Sequence, residues 1–458
     1  MSHAVRILRR VGAAFADTTR TQLWPIPTFG IALALAGAAG LTQLDAVVDQ
    51  RLPGSFTTWI FGGDADAARS ILSSLATALI TVTSLTFSLT VVTLQLASSQ
   101  FSPRLLRTFT RDRFVQLTLA LFLGTFVFAL TVLRTVRAGD DQQPEFVPRI
   151  AVTVTYLLTI ASVIGLVLFL AHLAEEIRVE TMLRNVHAEA SETVRRTLEG
   201  SDADPNGRVE PTAEALLLCA ARSGFLTSLR VESLIRVAAE LNLIVLVDRP
   251  AGASVVAGTP IGFAWSPAGA TLAPADRDSL LAAFASAVGI GFERTSLDDI
   301  SYGLRQLTDV ATKALSPGVN DPTTATHALG HSSALLCTLT GLPLGDERLR
   351  DDAGTVRLIR RRPDLADLLE LAVDQPRRYG AGEPQVVERL YRLLRDVGWS
   401  TGRRDHHDAV RRELERLRTT MADADSSPGQ RERYDQLGRD VEAALEGRWP
   451  LPEADRHR

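Results

Sequence analysis

The sequence predicts a mainly α-helical membrane protein: a four-helix transmembrane bundle, then a mixed, mostly helical cytoplasmic region with a small β-rich unit. Three observations carry that prediction. Four stretches within residues 1–174 are long and apolar enough to cross the ~30 Å hydrocarbon core of a bilayer, which takes about 20 helical residues. Beyond them the pattern turns to amphipathic helices, interrupted by Leu226–Ser266, where short apolar runs alternate with Gly and Pro turns. Charge divides at the same place: residues 1–174 carry 13 basic and 9 acidic side chains, the remainder 36 and 44. A membrane half at +4 and a remainder at −8 argue against nucleic acid as a partner.

The expected spans are 21–44, 70–103, 114–133 and 150–174. The first is rich in Gly and Ala, which lets helices approach closely, and begins at Trp24, an interfacial anchor. It follows a basic leader, but no small-x-small cleavage site precedes polar sequence, so it reads as an uncleaved span. The N-terminal tail and second loop carry eight arginines and the first and third loops five. That asymmetry places both termini of a multi-pass membrane protein in the cytoplasm.

The second span is unlike the others. Ser70–Pro103 passes without a charge for 34 residues, about 50 Å as a helix. At about 100° per residue, Ser70, Ser74, Thr77, Thr81, Ser84, Ser88, Gln95, Ser99 and Ser102 fall within about 40° of one line. Thr83, Thr86, Thr90 and Thr93 form a shorter row on the opposite side. Two polar rows on a membrane helix need partners other than lipid on both faces. Hydroxyls serve helix packing, bonding to the carbonyl one turn back; copies of such a helix around an axis would instead line a pore. Asp64 and Asp66 before the helix and Arg104 and Arg107 after it are candidate mouth residues, and ordinary interfacial flanking explains them equally well.

After the fourth span, 175–200 reads as that helix continuing out of the membrane, and 201–273 as the β-rich unit, with LTSLRV and LIVLVDR as strands around the helix VESLIRVAAEL. Residues 274–400 read as a helical domain with helices at 277–292, 297–315, 355–372 and 383–397. In it, Asp321 followed by Pro322 forms an N-cap and first-position pair, making Ser316–Asn320 a tight turn. Residues 401–458 read as a charged helical tail whose narrow apolar seam is Val410, Leu414, Leu417 and Met421.

Two phrases, LTVVTLQLASSQFSPRLLRTFTRDRFVQLTLALFLGTFVFAL and YGLRQLTDVATKALSPGVNDPTTA, resemble signatures of a family of predicted bacterial membrane proteins, domain of unknown function 2254. The resemblance runs from the first span to about Val397 and departs in the tail. It implies an N-terminal bundle with a cytoplasmic region, and no reaction that could be carried over.

The remaining chemistry is sparse. His172 and Glu175 lie one turn apart at the inner end of the fourth span, a candidate proton relay or two interfacial groups. Ser316, Asn320, Asp321 and Thr323 form a candidate ligand turn that cap chemistry also explains. His327 and His331 have i, i+4 spacing, but no HExxH glutamate or Cys cluster accompanies them, so a polar helix face is favoured over zinc. No nucleophile–base signature occurs, so neither enzyme activity nor a cofactor nor a metal is expected. Cys219 and Cys337 fit a reduced compartment. The expectation is a homo-oligomeric pore for small ions or solutes, lined by the second span and assembled or gated by the cytoplasmic region. The alternative is a membrane-anchored signalling or scaffolding protein whose cytoplasmic domain binds a partner or small ligand.

Overall fold

Backbone amides in hydrocarbon can be satisfied only within a helix or a closed barrel, and the N-terminal part of the chain takes the first course. The computed structural model describes residues 24–48, 61–100, 112–139, 145–176, 178–199, 209–269, 272–296 and 298–449. The chain forms two compact units, Met1–Arg178 and Val179–Arg458. In the first, α1 (Pro25–Val48), α2 (Ala65–Gln100), α3 (Arg113–Thr135) and α4 (Arg149–Glu176) are each long and apolar enough to cross a membrane.

The four expected spans are present with shifted ends, and side-chain caps explain the largest shift. Helix α2 starts five residues ahead of Ser70 because carboxylates receive its first amides. Glu145 accepts from the Ala65 N–H at 2.8 Å and Asp64 from that of Ala67 at 2.9 Å. Helix α1 starts at Pro25, where a missing N–H costs nothing.

Helix α3 is the hub of this unit, packing against α1, α2 and α4. At its crossing with α1, a Cβ on Gly30 would lie 3.0 Å from the Ala120 Cβ and 3.2 Å from its carbonyl oxygen. Only glycine leaves the two backbones room there. Phe128, Val132 and Val136 form an apolar cluster with Ala38 of α1, Ala68 and Leu72 of α2, and Ala151 and Val152 of α4. The outward faces of α1 and α4 carry Phe29, Leu33, Leu157, Val163 and Val167, as lipid contact requires. A buried carboxylate joins α1 to α4: Asp45, 4 % exposed, accepts from the N–H groups of Ile150 (3.0 Å) and Ala151 (2.9 Å).

The second unit opens with α5 (Val179–Leu198). Sequence suggests a continuation of the fourth span through 175–200, yet α4 ends at Glu176 and α5 is a separate helix. The reason lies in its seam: Met182, Leu183, Val186, Ala190 and Val194 are buried, and α5 packs on helices of its own unit. The strands are β1 (Leu216–Cys219), β2 (Gly224–Leu229), β3 (Ile244–Val247), β4 (Ser254–Val255) and β5 (Pro260–Trp265), with α6 (Val231–Glu240) between β2 and β3. Helix α7 (Pro274–Ala287) leads into β6 (Val288–Gly291).

The helices α8 (Tyr302–Ala314) and α9 (Pro322–Thr340) follow, then β7 (Glu347–Arg350) and β8 (Val356–Arg360). Last come α10 (Leu365–Tyr379), α11 (Pro384–Ser400), α12 (Arg404–Asp423) and α13 (Pro428–Leu445).

Three segments differ from the sequence reading. Residues 288–291, expected to end a helix, form β6, because Val288 and Ile290 pair with β2 and enter the core. Residues 356–360, expected to open a helix, form β8, which lies parallel to β3 in the register Val245↔Leu358 and Leu246↔Ile359. The helix expected over 297–315 begins at Tyr302, since the Asp299 carboxylate accepts from the Ser301 N–H and holds a turn ahead of it. One sheet has the order β1-β5-β3-β8-β7 and the other β4-β2-β6. The larger sheet therefore draws strands from both sides of residue 273, and the expected boundary there is not a structural one.

Asp45→Ala leaves two amides at the start of α4 without their acceptor. The expected cost is about 1–2 kcal/mol, in the range of helix-cap deletions, read as a lower thermal midpoint of the detergent-solubilised protein.

Candidate functional site

The two polar rows of α2 have opposite fates. Ala65, Ala68, Leu72, Ala76, Leu79, Thr83, Thr86, Thr90 and Thr93 are all buried, one continuous line along the helix. This line packs chiefly on α3. Its hydroxyls are mostly spent on their own helix: Thr83 donates to the Leu79 carbonyl at 2.7 Å and Thr90 to that of Thr86 at 2.8 Å. The other row, Ser70, Ser74, Thr77, Thr81, Ser84, Ser88 and Gln95, is exposed throughout the single chain. Apolar Ile71 and Leu85 flank it on one side, and Ile80 and Phe87 on the other. Ser99 falls in the last turn of α2, where side chains are not described; Ser102, Arg104 and Arg107 lie outside the described residues.

The remaining sequence candidates resolve differently. Asp64 acts as a cap at the start of α2, and Asp66 stands exposed in its first turn. His172 meets Asp112 with Nε2 and Oδ2 2.5 Å apart, and its ring packs on Phe114 at 4.7 Å. Glu175, the expected partner, points to the exposed surface. Asp112 is also the N-cap of α3, accepting from the Phe114 N–H at 2.8 Å, so this carboxylate ties α3 to α4.

Ser316, Asn320 and Asp321 lie between α8 and α9, and Thr323 lies in the first turn of α9. Asp321 caps α9 through the Thr324 N–H at 3.0 Å, and the Thr324 hydroxyl with that amide holds its carboxyl below the usual range. Ser316 donates to the Lys313 carbonyl at 2.7 Å, Asn320 adopts φ 48°, and Thr323 is exposed.

His331 gains a neighbour that no spacing reveals. Its ring lies 5.3 Å from that of His187 on α5, and the His187 Nδ1 is buried without a hydrogen-bond partner among the described residues. Burial first, then the charges of His187 and His327, hold His331 below the ordinary histidine value.

A charged cleft of about 620 Å³ lies within the second unit. It opens beyond the carboxyl ends of the parallel strands β3 and β8, between the segments 248–253 and 361–364 that leave them. Arg361 donates through Nε to Asp248 at 2.9 Å and through Nη1 to Asp346. Behind it Arg362 meets Glu347 at 2.7 Å and Arg360 meets the same carboxylate at 2.6 Å. Arg294 meets Asp299 at 2.6 Å, and Arg403 meets Asp405 at 2.7 Å. Burial leads the shifts of three groups here: Asp299 is raised despite Arg294, Arg362 is lowered to about 10, and the buried His406 is lowered, whereas the hydrogen bond from Arg403 holds Asp405 below the usual carboxylate range. Perturbed groups gathered in a cleft are a general mark of functional sites. No local pattern in the sequence marks this cleft, because its residues come from six separated segments and the Arg360–Arg362 run falls within a stretch with helical patterning.

The profile of a family described as predicted membrane protein (DUF2254) matches residues 20–396, and the chain belongs to that family. An uncharacterized protein of Mycobacterium bovis is 36% identical over 391 residues, covering 84% of this chain and 73% of the relative. An uncharacterized protein of Mycobacterium tuberculosis matches to the same extent. No solved structure matches the chain significantly.

The lowered His331 gives a signed pH dependence. The unfolded chain takes up this proton more readily than the folded one, so stability rises with pH, and the contribution is lost as pH falls below about 6.5. Between pH 7 and 5 the thermal midpoint is expected to fall less steeply in His331→Asn than in the parent chain.

Proposed function

We propose that this protein forms a homo-oligomeric pore for ions or small solutes in the bacterial cytoplasmic membrane, lined by the outward hydroxyl face of α2. The observation that carries the reading is the division of the two polar rows on one helix. Helix packing within the chain consumes the Thr83–Thr93 row and leaves the Ser70–Gln95 row exposed, with no packing partner among the described residues. Thr77 and Thr81 donate to the carbonyls of Ser73 and Thr77, each at 2.9 Å, which lowers the cost of standing in hydrocarbon. Their remaining acceptor capacity, and that of the neighbouring serines, suits water or a matching helix better than acyl chains. The apolar flanks Leu85 and Phe87 suit neighbouring subunits or lipid. Arginine excess in the tail and second loop supports cytoplasmic termini, which puts the second unit inside the cell as the assembling or gating part.

Cysteines introduced singly at Ser74, Thr77, Thr81, Ser84 and Ser88, in a background with Cys219→Ser and Cys337→Ser, test the pore. A membrane-impermeant thiol reagent is expected to label these positions and spare cysteines at Leu85 and Phe87. In liposomes that pass ions, the same labelling is expected to reduce flux. If none of the five positions reacts, the pore reading is wrong and the row is a packing face.

A further inference from the structure

The charged cleft of the second unit plays no part in lining a pore, yet it has the construction of a binding site. Strands β3 and β8 are parallel neighbours, and their outgoing segments diverge, from β3 toward β4 in the other sheet and from β8 into α10. A crevice outside the carboxyl ends of parallel strands, where connections part, is where open sheets bind ligands.

Every carboxylate lining the cleft is already engaged. Asp248 and Asp346 face Arg361, and Asp405 faces Arg403. Asp364 and Asp367 form the capping box of α10. Arg249, directly after Asp248, lines the same cleft, is exposed, and has no hydrogen-bond or ion-pair partner among the described residues. An arriving cation would have to break an existing pair to find an anion. An arriving anion meets a guanidinium at no such cost, and guanidinium forks match oxyanions in geometry.

The loop that carries Arg249 is held in place. Gly252 in it has φ 82°, and a Cβ there would fall 1.9 Å from Asp299 Oδ2, within the Asp299–Arg294 pair. Its N–H donates to the Leu226 carbonyl at 2.7 Å, fixing the loop to β2. A fixed loop spares a ligand part of the ordering cost of binding. The cavity volume lies in the range of about 300–1,000 Å³ that small-molecule sites occupy.

We infer that this cleft binds a small soluble oxyanion, a phosphate- or carboxylate-bearing molecule, with Arg249 receiving its charge. The inference does not depend on the pore: binding is read without conductance, so either reading can fail alone.

Calorimetric titration of the full chain in detergent, with pyrophosphate and separately with citrate, tests it. Saturable binding of one molecule per chain is expected for at least one probe, weakened about tenfold or more in Arg249→Gln. Arg222→Gln, at an exposed position outside the cleft, is expected to bind as the parent does. Because Arg249 is exposed and has no hydrogen-bond or ion-pair partner among the described residues, the Arg249→Gln variant should keep the parent thermal midpoint, which separates lost binding from lost fold. Binding of pyrophosphate alone assigns a phosphorylated ligand, and binding of citrate alone a carboxylate. If neither binds, or Arg249→Gln binds as tightly as the parent, the inference is overturned.

Discussion

The constraint on which the membrane unit depends is that its backbone amides have no solvent to bond to. Helix is then obligatory, and the only freedom left is the direction each face takes. Helix α3 settles that direction for its neighbours. Gly30 and Ala120 bring α1 against it, and Phe128, Val132 and Val136 receive the small-residue side of α2. Once Ala65, Leu72, Leu79, Thr86 and Thr93 turn inward, the Ser70–Gln95 row must turn outward, because the two lie on opposite sides of one rigid cylinder.

Carboxylates do the joining where helices leave the hydrocarbon. Asp45 caps α4 from α1, Glu145 caps the start of α2 from the third loop, and Asp112 caps α3 while holding His172 of α4. Each satisfies amides that a helix start leaves open, and each does so across a helix boundary or a long loop. They therefore fix the relation between segments as well as the ends of individual helices. Short polar residues that look like interfacial decoration in the sequence are, in this unit, the ties of the bundle.

In the second unit the parallel contact of β3 and β8 has the corresponding role. It carries Arg360, Arg361 and Arg362 to the edge of the loop that begins at Asp248, and a chain of buried ion pairs closes around them. Burying such pairs brings little net stability, since desolvation offsets the attraction. Their use is geometric: Arg361 is held by Asp248 and Asp346, and Arg362 by Glu347 and the Thr197 carbonyl, acceptors on separate segments, which gives the cleft a fixed shape with Arg249 exposed at its side.

Local pattern was enough for the four spans, the Asp321–Pro322 helix start, and the tail helices with Val410, Leu414, Leu417 and Met421 buried. These features depend on apolar runs, caps and a 3.6-residue period, all carried by neighbouring residues. Helical patterning does not reveal β6 and β8, because each takes its place in a sheet from a strand distant in sequence, β2 and β3, with the nearby β7 completing the pairing of β8. The same holds for the meeting of His187 with His331, of His172 with Asp112, and for the whole charged cleft. That α2 has two polar faces is legible from spacing alone, since angular position along a helix follows from residue number. Which of those faces is buried, and which residues gather around β3 and β8, depends on contacts between segments that no local pattern encodes, and so emerges only in the folded chain.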